Sequence, residues 1–281
     1  MSSAVVWVPL VGLVIGLTLG ALGGGGSILT VPALVYLLGQ SVPAATTGSL
    51  VIVGVSSLVA AARHRAAGHV RVTAGVTFGA LGMVGAYAGT RLSAHVAPHV
   101  LLTAFALLIV LVATLMIRRD RAARPTAQPA PPPADVGSGD HHVPSAPPAP
   151  SRSAQVARLV LAATGVGLLT GFFGVGGGFA IVPALVLVLG YPMPVAVGTS
   201  LLVISLNSAS ALAIRATVGA LADIDWLVIG GFTLMATLGS LLGARVAQRV
   251  DPRVLTRAFA GLLLATAAYL LAVNVPTLLA G

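Results

Sequence analysis

Two long stretches of this chain carry no charged side chain, and this limits the possible folds more than any other feature. Residues 1–62 contain no charge, and residues 159–214 add another 56 uncharged positions. As helix, these stretches would measure roughly 93 and 84 Å, about three crossings each of a 30 Å hydrocarbon core. One crossing each is expected from four further uncharged stretches, at 72–90, 92–117, 226–244 and 258–281. The chain is therefore predicted to be an all-α, polytopic integral membrane protein.

The composition excludes several functional classes. Of the 281 residues 57% are hydrophobic and 7% charged, and lysine, glutamate and cysteine are absent. Disulfides, thiolate metal sites and a P-loop with its lysine are therefore excluded. An intramembrane hydrolase needs a base beside its catalytic serine. The six histidines fall in predicted loops or at span edges, so none is placed inside a span to act as that base. We expect no enzyme, no cofactor and no metal site.

The chain repeats itself. Shifting the sequence by 151 residues aligns 16–50 with 167–201 without a gap, and 17 of the 35 pairs are identical. This indicates an internal duplication. We predict a first membrane repeat at 1–117, a Pro-rich disordered linker at 118–155 and a second membrane repeat at 156–281.

Each repeat contains one segment that is rich in glycine and then reaches a proline. The segments are GGGGSILTVPAL at 23–34 and GVGGGFAIVPAL at 174–185. Glycine and proline both disfavour a regular helix, so we predict broken or re-entrant helices with Pro32 and Pro183 as the helix breaks. In the first copy, a half-helix is expected to start at Pro32, run to about residue 38 and stop at Gly39, with extended chain before it.

About four full spans per repeat accompany the broken segment. The spans are predicted at 5–22, 44–62, 72–90, 100–117, 156–173, 195–214, 226–244 and 255–273. Glycines four residues apart, as at Gly12, Gly16 and Gly20, are interpreted as places where helices approach closely.

The distribution of arginines predicts a topology. The linker and the loops at 63–71 and 245–257 are rich in arginine, and basic loops of membrane proteins face the cytoplasm. The two repeats then have opposite orientations, with the linker cytoplasmic and both termini outside. Inverted repeats with paired broken helices are typical of secondary transporters.

A substrate site is predicted between the two broken segments. Helix starts offer free backbone N–H groups to an anion, and hydroxyl and amide groups in the following span could replace its hydration. The candidate residues are Gly25, Gly26, Ser27, Ser49, Gly176, Gly177, Gly178, Thr199, Ser200 and Asn207. Two alternatives stay open: the glycines could only permit close helix packing, and the hydroxyls could only bond to their own helix. No predicted span contains an acid, which favours an anionic or neutral substrate.

These motifs resemble a known family. The duplicated Gly-Gly-Gly-x-x-x-x-Val-Pro-x-Leu pattern, the Gly198-Thr199-Ser200-Leu201 stretch and the helix end at Gly243 and Arg245 are similar to those of the sulfite exporter TauE/SafE family of membrane permeases. The resemblance implies transport of sulfite or an organosulfonate across the bacterial inner membrane. The alternative is an anion channel, or a permease for a different solute or a cation, with the same fold.

The expected partners follow from this interpretation. They are a small anionic substrate and the lipid bilayer, and no nucleic acid, because the arginines that give the chain a net charge of +9 lie between the spans. Whether the chain forms a homodimer is left open.

Overall fold

The computed structural model describes residues 4–93, 96, 98–122, 152–173, 178–217, 219, 221–222 and 224–279. Within these ranges the chain forms ten α-helices and no strand. In chain order they are α1 (Ala4–Leu22), α2 (Gly25–Pro32), α3 (Val42–Ala66), α4 (Val72–Ser93), α5 (Pro98–Ala122), α6 (Arg152–Phe173), α7 (Gly178–Leu187), α8 (Met193–Thr217), α9 (Trp226–Arg249) and α10 (Pro252–Leu279).

The eight full spans predicted from the sequence are all helices in the structure. Six of them are long and apolar enough to cross a membrane by length and composition, namely α3, α4, α6, α8, α9 and α10. The all-α, polytopic membrane architecture is therefore confirmed. Both α5 and α6 extend into the segment predicted as a linker; residues 123–151, the body of that linker, lie outside the described residues.

The first broken segment begins earlier than predicted. The expectation of extended chain followed by a half-helix from Pro32 is wrong, because α2 is already helical from Gly25 and ends at Pro32. A π-helical turn at Ala33–Leu37 follows. Proline has no N–H for the carbonyl of Ile28 one turn back and crowds it, and a wider turn relieves that crowding. The break itself is at Gly23, whose φ of +74° only glycine adopts easily.

Both broken segments end in the same way. The predicted stop at Gly39 is confirmed: its φ is +64°, and the Gln40 N–H donates to the Leu34 carbonyl at 3.1 Å. In the second half Gly190 has a φ of +72°, and the Tyr191 N–H donates to the Leu185 carbonyl at 3.0 Å. In each case the left-handed glycine turns the chain so that the next N–H reaches a carbonyl six residues earlier, one residue further back than in a Schellman motif.

Contacts between α3 and α8 show that these helices run in opposite directions. Thr46, near the start of α3, accepts a hydrogen bond from Arg215, near the end of α8. Further along, Gly54 faces Ser208. The bounds of α3 and α8 are 151 residues apart at both ends, so these helices correspond in the two repeats. Corresponding helices that run antiparallel are what an inverted repeat requires.

Two further helix pairs are parallel and in close contact. In the α1–α9 pair, Gly16 packs against the backbone of Ala236 and Gly20 against that of Ser240. The α6–α4 pair repeats this arrangement with Gly167 and Gly171. The predicted packing role of these glycines is confirmed, and the first helix of each repeat packs on the fourth helix of the other.

The helix directions define two ends of the molecule. We call the end where α3 begins and α8 ends the cavity end. The contacts of Gly48 with Ile229 and of Ser56 with Thr237 show that α3 runs parallel to α9. Because α1 also runs parallel to α9, α1 begins at the cavity end too. We call the opposite end the linker end, because α6, which follows the linker, begins there: α6 runs parallel to α4, and α4 to α8.

The glycine contacts yield a stability prediction. A Cβ on Gly239 of α9 would overlap the Leu13 carbonyl oxygen and lie 2.9 Å from the Leu17 nitrogen, both in α1. Gly239→Ala should destabilise the protein by about 1–3 kcal/mol, since backbone cannot move aside cheaply. Gly230→Ala in the same helix meets nothing within 4 Å and is the matched control. Thermal unfolding in detergent should show a melting temperature several degrees lower for Gly239→Ala alone; equal values would contradict the contact.

Candidate functional site

A cavity of about 730 Å³ lies between α3 and α8. Helices α4 and α6 close one side, and the starts of α2 and α7 form its inner end. It reaches the cavity end through Thr46 and Arg215, which are both partly exposed. The described residues that line it are Ser27, Ile28, Val31, Thr46, Ser49, Leu50, Val53, Phe78, Gly82, Met83, Ala86, Thr90, Val166, Gly167, Thr170, Gly171, Ile181, Val203, Ile204, Asn207, Ser208, Ser210, Ala211, Ile214 and Arg215.

Arg215 is the charged side chain of this described lining, and two threonines hold it in place. Its Nη1 donates to Thr46 Oγ1 at 3.1 Å and to Thr47 Oγ1 at 2.7 Å. Both hydroxyls donate their own protons to the Pro43 carbonyl, so they turn lone pairs toward the guanidinium. Nε and Nη2 of Arg215 have no hydrogen bond to any described residue. Since guanidinium remains charged at any physiological pH, the cavity carries a fixed positive charge near its mouth.

Asn207 contributes another polar atom of the lining that no described residue bonds. It lines the cavity halfway along α8, and its buried Oδ1 has no hydrogen-bond partner among the described residues. A buried amide without a partner is costly, so an unpaired one in a cavity is a candidate ligand contact.

Two other predicted site residues also line the cavity. Ser27 lies in the first turn of α2 and donates to the Gly24 carbonyl at 2.7 Å. Ser49 donates to the Thr46 carbonyl at 2.8 Å. Each hydroxyl now bonds to its own helix and would have to rotate to donate to a bound anion.

The remaining described candidates lie in helix contacts, outside the lining. A Cβ on Gly25 would lie 2.6 Å from Leu262 Cδ2, and one on Gly26 2.6 Å from the Ile15 carbonyl oxygen. A Cβ on Gly178 would lie 2.6 Å from Ser27 Oγ, and one on Gly24 would overlap the Gly178 carbonyl oxygen, so the starts of α2 and α7 touch each other. Gly176 and Gly177 lie outside the described residues.

Thr199 and Ser200 of α8 serve the packing at the linker end. Thr199 Oγ1 accepts from the Arg71 N–H at 3.1 Å, and Ser200 Oγ donates to the Val197 carbonyl at 2.8 Å. The predicted binding role of all these residues stays a prediction. Pro32 and Pro183, which the sequence predicted as helix breaks, lie inside α2 and α7 and away from the described lining.

Sequence reasoning missed Arg215. We assigned it to the loop after the span, whereas α8 continues to Thr217 and places it in the last helical turn. A signal was present, because Arg215 is the residue that ends the uncharged stretch at 159–214. Asp225 caps the start of α9, since its Oδ1 accepts from the Leu227 and Val228 N–H groups.

Comparison with known proteins adds to this geometry. The family model described as "Sulfite exporter TauE/SafE" matches residues 8–270, nearly the whole chain. The chain belongs to the TauE/SafE family. It is therefore a multi-pass membrane transporter, and TauE/SafE membership confirms the resemblance seen in the sequence.

Relatives of this TauE/SafE chain occur in distant organisms. A protein of Xylella fastidiosa named "Probable membrane transporter protein" is 33% identical over 272 residues, which is 92% of either chain. A protein of Methanocaldococcus jannaschii with the same description is 25% identical and covers 87% of this chain and 86% of its own. One of Bacillus subtilis is 27% identical, covering 87% and 89%. No solved structure matches the chain.

Proposed function

We propose that this transporter moves a small anion, sulfite or an organosulfonate, across the bacterial inner membrane by alternating access. The observation that carries the proposal is the charge of the cavity. Its described lining contains the guanidinium of Arg215 and no carboxylate. In a low-dielectric surrounding a single fixed cation strongly favours an anionic ligand over a cationic one.

The walls of the cavity favour an organosulfonate over sulfite. Between the polar groups lie apolar side chains such as Val53, Phe78, Val203 and Ile204. The volume of about 730 Å³ is many times that of a four-atom oxyanion. An anion with a short hydrocarbon part would place its charged group near Arg215 or Asn207 and its apolar part against these walls.

The two repeats support alternating access because the same helix face is open in one and shut in the other. On α8 this face, the α8 stripe, lines the cavity and consists of Asn207, Ser208, Ala211 and Arg215. Its counterpart 151 residues earlier, the α3 stripe, is fully buried and consists of Ser56, Ser57, Ala60 and His64. If the halves are inverted repeats, exchanging their conformations would bury the α8 stripe and open the α3 stripe at the linker end.

The orientation in the membrane follows from the charge bias. With the arginine-rich linker in the cytoplasm, the linker end is inside and both termini are outside. The structure then corresponds to a state that is open to the outside.

Transport into proteoliposomes tests this function. Purified protein should accumulate radiolabelled ethanesulfonate or sulfite above protein-free vesicles, and unlabelled sulfonate should compete. Transport of Na⁺, K⁺ or a neutral solute instead, with no anion flux, would overturn the proposal. An anion current that does not saturate as the anion concentration rises would show that the protein is a channel and not a carrier.

A further inference from the structure

The α3 stripe carries a histidine at the position that corresponds to Arg215. His64 and Arg215 are 151 residues apart, the spacing that aligns the two repeats. His64 also packs against α8 at the position that corresponds to the contact of Arg215 with α3. Arg215 bonds to Thr47 of α3, while a Cβ on Gly198 of α8, the counterpart of Thr47, would lie 3.0 Å from the His64 Cβ.

His64 has one ring nitrogen satisfied and one without a partner. Nε2 lies 3.1 Å from the Gly20 carbonyl oxygen at the end of α1, and can donate to it. Nδ1 is buried and has no hydrogen-bond partner among the described residues. The imidazole is fully buried, and no described residue offers an acceptor to Nδ1 in this closed arrangement. The neighbouring Ser57 hydroxyl is likewise buried, with no hydrogen bond to any described residue.

A short segment after α3 shuts the linker end over His64. The Arg71 N–H donates to Thr199 Oγ1, and a Cβ on Gly198 would lie 3.1 Å from the carbonyl carbon of His69. The rings of His64 and His69 have centroids 6.1 Å apart, and Nδ1 of His69 is also buried and has no hydrogen-bond partner in the described part of the chain. Opening this end would separate residues 69–71 from the start of α8 and admit water to both rings.

We propose that His64 contacts the transported anion at the mouth of a second cavity, which forms at the linker end when the cavity of Arg215 closes. This inference rests on the proposed alternating-access function. Arginine is charged at any physiological pH, whereas an imidazole that water can reach becomes charged only as the solution is made more acidic. Anion binding from the linker end is therefore stronger at low pH, and binding from the cavity end is not.

The charged and titratable groups near His64 can be named for the described part of the chain. His69 is the titratable side chain beside it, with ring centroids 6.1 Å apart. The described part of α1 and the start of α8 present no charged side chain. The arginines on the nearby elements are exposed to solvent, namely Arg63, Arg65, Arg71, Arg245 and Arg249.

Single cysteines test the second cavity, because the chain has no cysteine of its own. Ser208→Cys on the α8 stripe should react with a membrane-impermeant thiol reagent from the cavity end. Ser57→Cys, its fully buried counterpart, should react from the linker end alone. Both reactions are followed in sealed vesicles with the reagent on either side. A Ser57→Cys that reacts from neither side would overturn the inference.

The role of His64 is read from protection of these cysteines by ethanesulfonate, whose charge is constant between pH 6 and pH 8. At the linker end, ethanesulfonate should protect Ser57→Cys at least threefold better at pH 6 than at pH 8. His64→Gln, which keeps a donor for the Gly20 carbonyl, should abolish this difference, and His64→Arg should give strong protection at both pH values. Arg65→Gln, an exposed neighbour, is the control and should keep the pH dependence.

The outcomes separate this inference from the proposed function. If ethanesulfonate protects Ser208→Cys, but protection of Ser57→Cys is independent of pH or of His64, the inference is wrong and the anion transporter stands. If ethanesulfonate protects neither cysteine and no sulfonate is transported, both are wrong.

Discussion

Arg215→Gln is expected to lower kcat/KM for sulfonate transport by roughly 10- to 150-fold. Hydrogen bonds to a charged partner contribute about 1.5–3 kcal/mol each, and every 1.4 kcal/mol is about a factor of ten. Glutamine can still donate to Thr46 and Thr47, so the packing between α3 and α8 should survive. The loss should therefore fall on transport, measured as initial uptake at several sulfonate concentrations, and not on the yield of folded protein.

Two companion variants show whether the charge and its position both matter. Arg215→Lys keeps the charge but loses the planar fork, and should recover part of the activity. Arg245→Gln removes an exposed arginine of α9 and should change uptake less than twofold. Full activity in Arg215→Gln, or an equal loss in Arg245→Gln, would show that the guanidinium of Arg215 does not bind the substrate.

Asn207→Asp is expected to abolish anion uptake, with a loss of at least 100-fold at pH 7.5. The substitution preserves shape, but places a carboxylate in the middle of a cavity whose described lining has none. Repulsion between two like charges a few ångströms apart is worth about 4 kcal/mol at an effective dielectric constant of 20. Because no described residue bonds to Oδ1 of Asn207, the fold should not depend on the amide.

The same variant separates an anion carrier from a cation permease. If the cavity carried a cation, Asn207→Asp would maintain or raise its transport, so uptake of anions and of Na⁺ and K⁺ should be measured side by side. Asn207→Leu, which removes the polar group without adding charge, should lose less anion transport than Asn207→Asp. Equal losses in both would contradict a role for charge at this position.

The sequence alone predicted the membrane class, the repeat and the eight spans, because each depends on local properties. A helix in lipid must be apolar over about 20 consecutive residues, and that is visible as the absence of charge. Glycines four residues apart, such as Gly16 and Gly20, similarly marked close helix contacts before any partner was known. The positions of both broken segments were visible because glycine and proline act on their own backbone.

Only the tertiary structure decided which residues surround the cavity. Gly23 to Gly26 could have been extended chain, but packing of α2 on α1 and α10 makes Gly25 and Gly26 the start of a helix. Arg215 looked like a loop residue until α3 brought Thr46 and Thr47 to it from the other repeat.

The sequence also could not predict which end of the molecule is open. The α3 and α8 stripes are near-equivalent in the repeat, yet one is buried and the other lines a cavity. Helix formation depends on neighbours a few positions apart, and the sequence therefore determines it. The environment of a side chain depends on contacts between residues far apart in the chain, so its binding role is decided only when the two repeats pack together.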